Sequence, residues 1–259
     1  MFSISKHERL LQVQEPAAAS EWIDAEVHRW RSRTAEHSQP FTGAAICDYH
    51  GFRHLPPGSR FDRVLAFGGG DGAEVLPLLD RSRQVTVIDA SGLSLHPALA
   101  QRGARMKGPS MDGLMPDEPD GAYDLITCFG VLTYLPDPIA SFAELRRCLA
   151  PGGWLLVREP IVAMNLEQPE HKGLGKHGRG IPLGVFDGLV RQGFAVHYRA
   201  LCPVALTSYF RAIPGSNPQA AVRVDAALAR LLAWNVAYRK TRPWHYLRPK
   251  AAAYVLRKR

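Results

Sequence analysis

The 259-residue chain is poor in cysteine and has no long apolar run. Its four cysteines, Cys47, Cys128, Cys148 and Cys202, stand far apart and mostly in apolar surroundings. No C-x-x-C and no H-E-x-x-H occurs, so neither a disulfide framework nor a zinc site is expected, and the cysteines read as reduced core residues. No stretch approaches the roughly 20 apolar residues that cross a bilayer. The first residues, Met1 to Arg9, lack the apolar block of a secretory leader. A cytoplasmic location is therefore expected, and a metal is not. Acidic residues are also missing after Asp225, where nine Lys and Arg residues follow; setting those nine aside from the total of +8 leaves the remainder at −1. The basicity belongs to one segment rather than to the whole chain.

What is present is an ordinary globular composition, 46% hydrophobic and 22% charged, sufficient for one sizeable core. Residues 1–60 read as a helical N-terminal extension or lid, with Trp22, Ile23, Val27 and Trp30 at helical spacing. Pro56-Pro57-Gly58-Ser59 ends it in a turn. From 61 to 202 strands and helices alternate. Strands are expected at Arg63–Phe67, Gln84–Ile88, Ala104–Lys107, Tyr123–Cys128, Trp154–Arg158 and Phe194–Arg199. Helices are expected at Ala73–Leu79, Leu93–Arg102, Pro138–Leu149 and Leu183–Gln192. Residues 203–259 supply a helical insertion, Ala220–Tyr238, and a final strand, Ala251–Leu256. This alternation implies an α/β, doubly wound, mostly parallel seven-stranded sheet of Rossmann-like form.

The strongest chemical signal is a strand, a glycine turn and a helix, followed by a strand that ends in an acid. Gly68, Gly70 and Gly72 allow close backbone approach to a ligand and free N–H groups at the helix start. Asp89 lies 21 residues beyond Gly68, where a carboxylate can accept both ribose hydroxyls of an adenosine. The same residues satisfy a relaxed dinucleotide pattern, so NAD competes as the ligand on this feature alone. A second glycine pattern, Gly173 to Gly178, follows no strand directly and reads as a substrate loop.

Three segments decide between these ligands. Arg63-Val64-Leu65-Ala66-Phe67-Gly68-Gly69-Gly70-Asp71-Gly72 resembles the first motif of class I S-adenosylmethionine-dependent methyltransferases. Tyr123 to Cys128, with Val131 to Pro138, resembles their fourth-strand motif. Leu149-Ala150-Pro151-Gly152-Gly153-Trp154-Leu155-Leu156-Val157 resembles their turn into strand five. The resemblance covers about residues 63 to 200 and implies a Rossmann-like methyltransferase fold with S-adenosyl-L-methionine as cofactor. It implies that Phe67, Gly68, Gly69 and Gly70 border the methionine part, that Asp89 holds the ribose and that Ala90 lies against the adenine. Met111, Asp112 and Gly113 would meet the adenine amino group, and Phe129 would line the methionine end. One departure stands out: the family commonly has an acid where Ala66 stands, so Asp71 or water is expected to take over its task.

A base is needed only if the acceptor must lose a proton. Candidates are Glu159 at the end of strand five, His171 and His177 in the loop that follows, and Tyr134 near the mouth. The run Glu159-Pro160 followed by Gly173 to Pro182 is similar to methyltransferases of sugar or glycan modification, which favours O-methylation of a small molecule or glycan precursor. The basic C-terminal segment, interleaved with Trp234, Tyr238, Trp244 and Tyr246, fits a solvated face, a platform for an anionic acceptor or RNA. Leu231, Leu232 and Trp234 beside Arg230, Arg239 and Lys240 fit peripheral membrane contact. An RNA methyltransferase, an NAD-dependent oxidoreductase and a non-catalytic module of the same fold stand as alternatives.

Overall fold

The computed structural model describes residues 43–90, 92–108, 113–135, 137–161, 180–181, 183–202, 217–236 and 242–259. The helical stretch expected around Trp22 to Trp30 and the Gly173 to Gly178 loop lie outside them. Seven strands form one sheet in the order β3-β2-β1-β4-β5-β7-β6. They are β1 (Phe61–Phe67), β2 (Ser82–Ile88), β3 (Arg105–Lys107), β4 (Tyr123–Phe129), β5 (Leu149–Pro160), β6 (Phe194–Cys202) and β7 (Ala251–Lys258). β3, β2, β1, β4 and β5 pair in parallel. β7 runs antiparallel between β5 and β6. The doubly wound seven-stranded sheet expected from the sequence is thus observed.

The central strands are apolar on both faces because both are covered. On one face Leu65, Ile126 and Leu155 pack with Phe142 and Leu145 of α3 (Pro138–Cys148) and with Phe186 of α4 (Leu183–Arg191). On the other, Val64, Ala66, Leu125 and Leu156 pack with Phe52, Val75, Leu78 and Leu99. This second layer is reached by α1 (Gly43–His50), a 3₁₀ helix Ala73–Arg81 and α2 (Pro97–Gln101). All four cysteines are free and buried, in agreement with the sequence reading.

Several boundaries differ from expectation. Ala73–Arg81 winds as a 3₁₀ helix with Pro77 inside it, a residue that lacks the N–H an α-helix would use there. The helix expected over Leu93–Arg102 starts only at Pro97, after His96 accepts from the Ala98 N–H at 3.3 Å. Pro97 biases the residue before it away from helical dihedrals. The helix expected over Ala220–Tyr238 is α5 (Pro218–Leu231), capped by Asn217. Beyond it, buried Asn235 donates to the Trp244 carbonyl at 2.6 Å, which ties the turn down. α3 begins where Asp137 accepts from the N–H groups of Ile139 and Ala140, both at 2.9 Å, with Pro138 at its first position.

The basic C-terminal residues do not share one face. Arg257 lies over Trp154, its guanidinium carbon 5.7 Å from the ring centre. Lys258 donates to the Leu149 carbonyl, and Arg248 is buried. Arg230 and Arg242 are exposed, as is Trp234. No helix among the described residues is long and apolar enough to cross a membrane.

Candidate functional site

β1 and β4 are neighbours whose connections run to opposite sides, so a crevice opens at their carboxyl ends. The chain leaves β1 there through the glycine bend. Gly68 has φ +68° and Gly70 φ +59°, a left-handed region that side chains rarely enter. At Gly68 an added Cβ would stand 2.2 Å from the Val131 side chain, so the bend lies flat against the turn after β4. The Gly68 N–H donates to the Ile88 carbonyl at 2.7 Å, which joins the bend to the end of β2.

Asp89 follows β2 directly, and its Oδ2 accepts from the Gly70 N–H at 2.9 Å. The acid and the bend singled out in the sequence, 19 residues apart along the chain, therefore meet in space. Ala90 is exposed beside them. Phe67 is 2% exposed, so its ring belongs to the core and only its backbone can border a ligand. Phe129 is half-buried at the end of β4, its ring 6.1 Å from Phe52 and 5.4 Å from the Arg158 guanidinium. Gly113 is packed on Ser141 of α3 and on Leu135. Met111 and Asp112 lie outside the described residues.

Of the proposed bases, Glu159 stands at the end of β5, as expected, but faces inward. It is fully buried, and its carboxylate accepts from the N–H groups of Val131 at 2.9 Å, Leu132 at 3.0 Å and Thr133 at 3.4 Å. Burial pushes its carboxyl up to about 7 against these donors and Arg158, which pull it down. A fully buried carboxylate that accepts from three backbone N–H groups and faces the Cys128 thiol at 3.8 Å is a clasp on the turn after β4, and its burial gives it no access to an acceptor. Tyr134 belongs to that clasped turn, Leu132–Tyr134. His171 and His177 lie outside the described residues.

Asp71 is also otherwise engaged. Its Oδ1 accepts from the Ala73 N–H at 3.0 Å, and its carbonyl accepts from the His96 N–H at 2.8 Å. The carboxylate that reaches the space over Ala66 comes instead from Glu74, a residue the motif reading passed over. Thr127 is the β4 partner of Ala66 in register, and its hydroxyl donates to Glu74 Oε1 at 2.7 Å. The signal available in the sequence was an acid in the first turn of a largely apolar helix, just beyond a glycine bend whose strand lacks one.

Burial pushes the Glu74 carboxyl up to about 7; the Thr127 hydroxyl and Arg158 oppose this, and Asp89 and Asp71 add to it. A carboxyl raised in the folded state contributes stability while protonated, below its unfolded value, and loses it as pH rises through the folded value. The melting temperature of ligand-free protein should therefore change more unfavourably between pH 5 and 7.5 in wild type than in Glu74→Gln. Calorimetry on the pair isolates this group from His50, which burial lowers to about 4 and which acts in the opposite direction in both proteins. Parallel curves would contradict the placement of Glu74.

A family model described as a methyltransferase domain matches residues 50–172, the span that holds the bend, Asp89, β4 and β5. Over that span, a little under half of its length, the chain is similar to a methyltransferase domain. Among curated relatives, it is 30% identical over 97 residues to a ubiquinone biosynthesis O-methyltransferase of Nitrosospira multiformis, covering 36% of this chain and 40% of that one. It is 34% identical over 113 residues to a trans-aconitate 2-methyltransferase of an Acidovorax species, covering 42% and 41%. The chain thus spans about two fifths of the length of these relatives. Among solved structures, the N-methyltransferase NodS of Bradyrhizobium japonicum, in complex with S-adenosylhomocysteine, aligns with TM-score 0.50 at 15% identity over 93% of this chain and 98% of that one. The [4+2]-cyclase SpnF aligns with TM-score 0.52 at 19% identity over 83% and 81%. At these identities the likeness is one of fold. A methyltransferase domain and a cyclase share it, so activity must be argued from the site. No group of three or more His, Cys, Asp or Glu able to hold a metal occurs among the described residues.

Proposed function

We propose that this protein is an S-adenosylmethionine-dependent methyltransferase that methylates an oxygen of a small organic molecule. The observation that carries the reading is the Asp89–Gly70 clasp at the β1–β4 crevice. It sets a carboxylate beside a glycine backbone, the combination that suits a ribose next to a closely approached chain. The charge balance fits as well. Among the described residues that act on Glu74, the carboxyl groups of Asp71 and Asp89 stand with it at the bend against the Arg158 guanidinium, a setting that favours a cationic ligand.

The chemistry supplied on binding is an electrophilic methyl group on a sulfonium. The chain's own part is then placement. Asp89 would orient the ribose, the backbone of Gly68 to Gly70 would border the methionine part, and Ala90 would lie against the adenine. Phe129, fixed between Phe52 and Arg158, would shield the crevice from water at the end of β4. Alignment for an in-line displacement is worth several kcal/mol on its own. A carboxylate acceptor needs no base, and an alcohol acceptor would need one from outside Glu159. The names of the relatives, an O-methyltransferase of ubiquinone biosynthesis and a trans-aconitate methyltransferase, support a small-molecule acceptor over RNA.

Isothermal titration with S-adenosylhomocysteine and with NAD tests this. Saturable binding of S-adenosylhomocysteine and none of NAD is expected. Binding of NAD alone would replace the methyltransferase reading with a hydride-transfer one.

A further inference from the structure

Glu74 stands where the crevice, the glycine bend and the buried sheet meet. One of its oxygens is anchored by the Thr127 hydroxyl at 2.7 Å. Thr127 itself is fully buried, so this anchor cannot swing away. A Cβ built on Gly69 would lie 3.4 Å from the same oxygen and 2.9 Å from the Ala66 Cβ, so the carboxylate rests on the bend directly above the alanine. The second oxygen has no hydrogen-bond partner among the described residues, and it is not among their enclosed, unpartnered polar atoms. The residue as a whole is partly exposed. A carboxylate with one oxygen fixed to the sheet and the other unpaired beside the glycine bend is arranged to receive a donor from outside.

Resting on the function proposed above, we infer that Glu74 is the residue that holds the cationic amino group at the amino-acid end of the ligand, reaching from the helix side of the bend a position that the strand, with Ala66, leaves without charge. The groups that face it settle what it can take. Asp71 stands on the bend, Asp89 beyond β2, Arg158 on β5, Cys47 on α1 and Thr127 on β4. Among these described groups the carboxylates outnumber the guanidinium, so an incoming anion would meet repulsion and an incoming ammonium attraction. Burial holds the Glu74 proton more firmly than an ordinary carboxyl does. An ammonium docking on the free oxygen favours the ionised form. Binding near pH 6.5 should therefore release a proton from Glu74, and affinity should rise with pH up to about 7.5.

The test compares three ligands on the full-length chain: S-adenosylmethionine, S-adenosylhomocysteine and methylthioadenosine, which keeps the adenosine and lacks the amino-acid end. Glu74→Gln retains an oxygen for Thr127 and removes the charge, and its melting temperature reports whether the bend is intact. The variant should bind the first two ligands about 10-fold more weakly, the cost typical of one charge-assisted hydrogen bond, and should bind methylthioadenosine like wild type. Titrations in buffers of different ionisation enthalpy should show proton release for wild type at pH 6.5 and none for Glu74→Gln. Equal losses for all three ligands would mean that Glu74 only shapes the bend, and no loss would mean that the amino group lies elsewhere; either overturns the inference while leaving the proposed function standing. Wild-type protein that binds none of the three would overturn both.

Discussion

Replacing Asp89 with alanine should weaken S-adenosylhomocysteine binding by about 100-fold, the loss expected when a carboxylate that accepts two hydroxyl donors is removed. Asp89 comes at the carboxyl end of β2, next to β1, and in the ligand-free fold its Oδ2 accepts from the Gly70 N–H at 2.9 Å. That bond is short-range support for the bend, and Asp89 lies at the crevice rather than in the core, so the melting temperature should fall little. Asp89→Asn should sit between the two, since an amide keeps one acceptor and loses the charge. Isothermal titration of the three proteins checks the order. Affinity unchanged in Asp89→Ala would place the ribose, and with it the ligand, somewhere other than this crevice.

Glu159→Ala should have its largest effect on stability. The side chain is fully buried and serves three consecutive N–H groups at the start of the turn after β4. Its removal leaves those donors without an acceptor in a dry environment, at a cost of about 3 kcal/mol. For a domain of this size that corresponds to a fall of roughly 6–12 °C in melting temperature. Glu159→Gln should be milder, because the retained oxygen can still serve Val131 and Leu132. A general base would behave the other way round, with normal stability, intact ligand binding and abolished turnover. Differential scanning calorimetry beside a methyl-transfer assay separates the two.

The contrast between Asp89 and Glu159 shows what the sequence could and could not convey. Both are acids at the end of an apolar strand, and from the sequence both look like site residues. Asp89 follows its strand by one position and emerges at the crevice, next to glycines that local spacing already ties to it. Glu159 lies within the long strand β5, beside β7 on one side and the turn after β4 on the other, and its three donors sit 26 to 28 residues away. Which way its carboxylate turns depends on a packing choice that no local pattern records. Glu74 illustrates the reverse error. Read locally it is a charged residue in a helix, and only the register that sets Thr127 beside Ala66 reveals that it reaches the bend. The sheet itself was more legible. Strand-length apolar runs and the turns between them identify the seven strands, while the antiparallel entry of β7 between β5 and β6 is a consequence of long-range pairing. Helix ends shifted wherever a proline or a side-chain tether intervened, as at Pro97 and Asn235.

The most direct measurement is a crystal structure of the protein grown with S-adenosylhomocysteine. The ribose hydroxyls should lie within hydrogen-bond distance of the Asp89 carboxylate, with the chain from Gly68 to Gly70 against the amino-acid end. Density for the nucleoside at any other place, with no ribose hydroxyl near Asp89, would contradict this site.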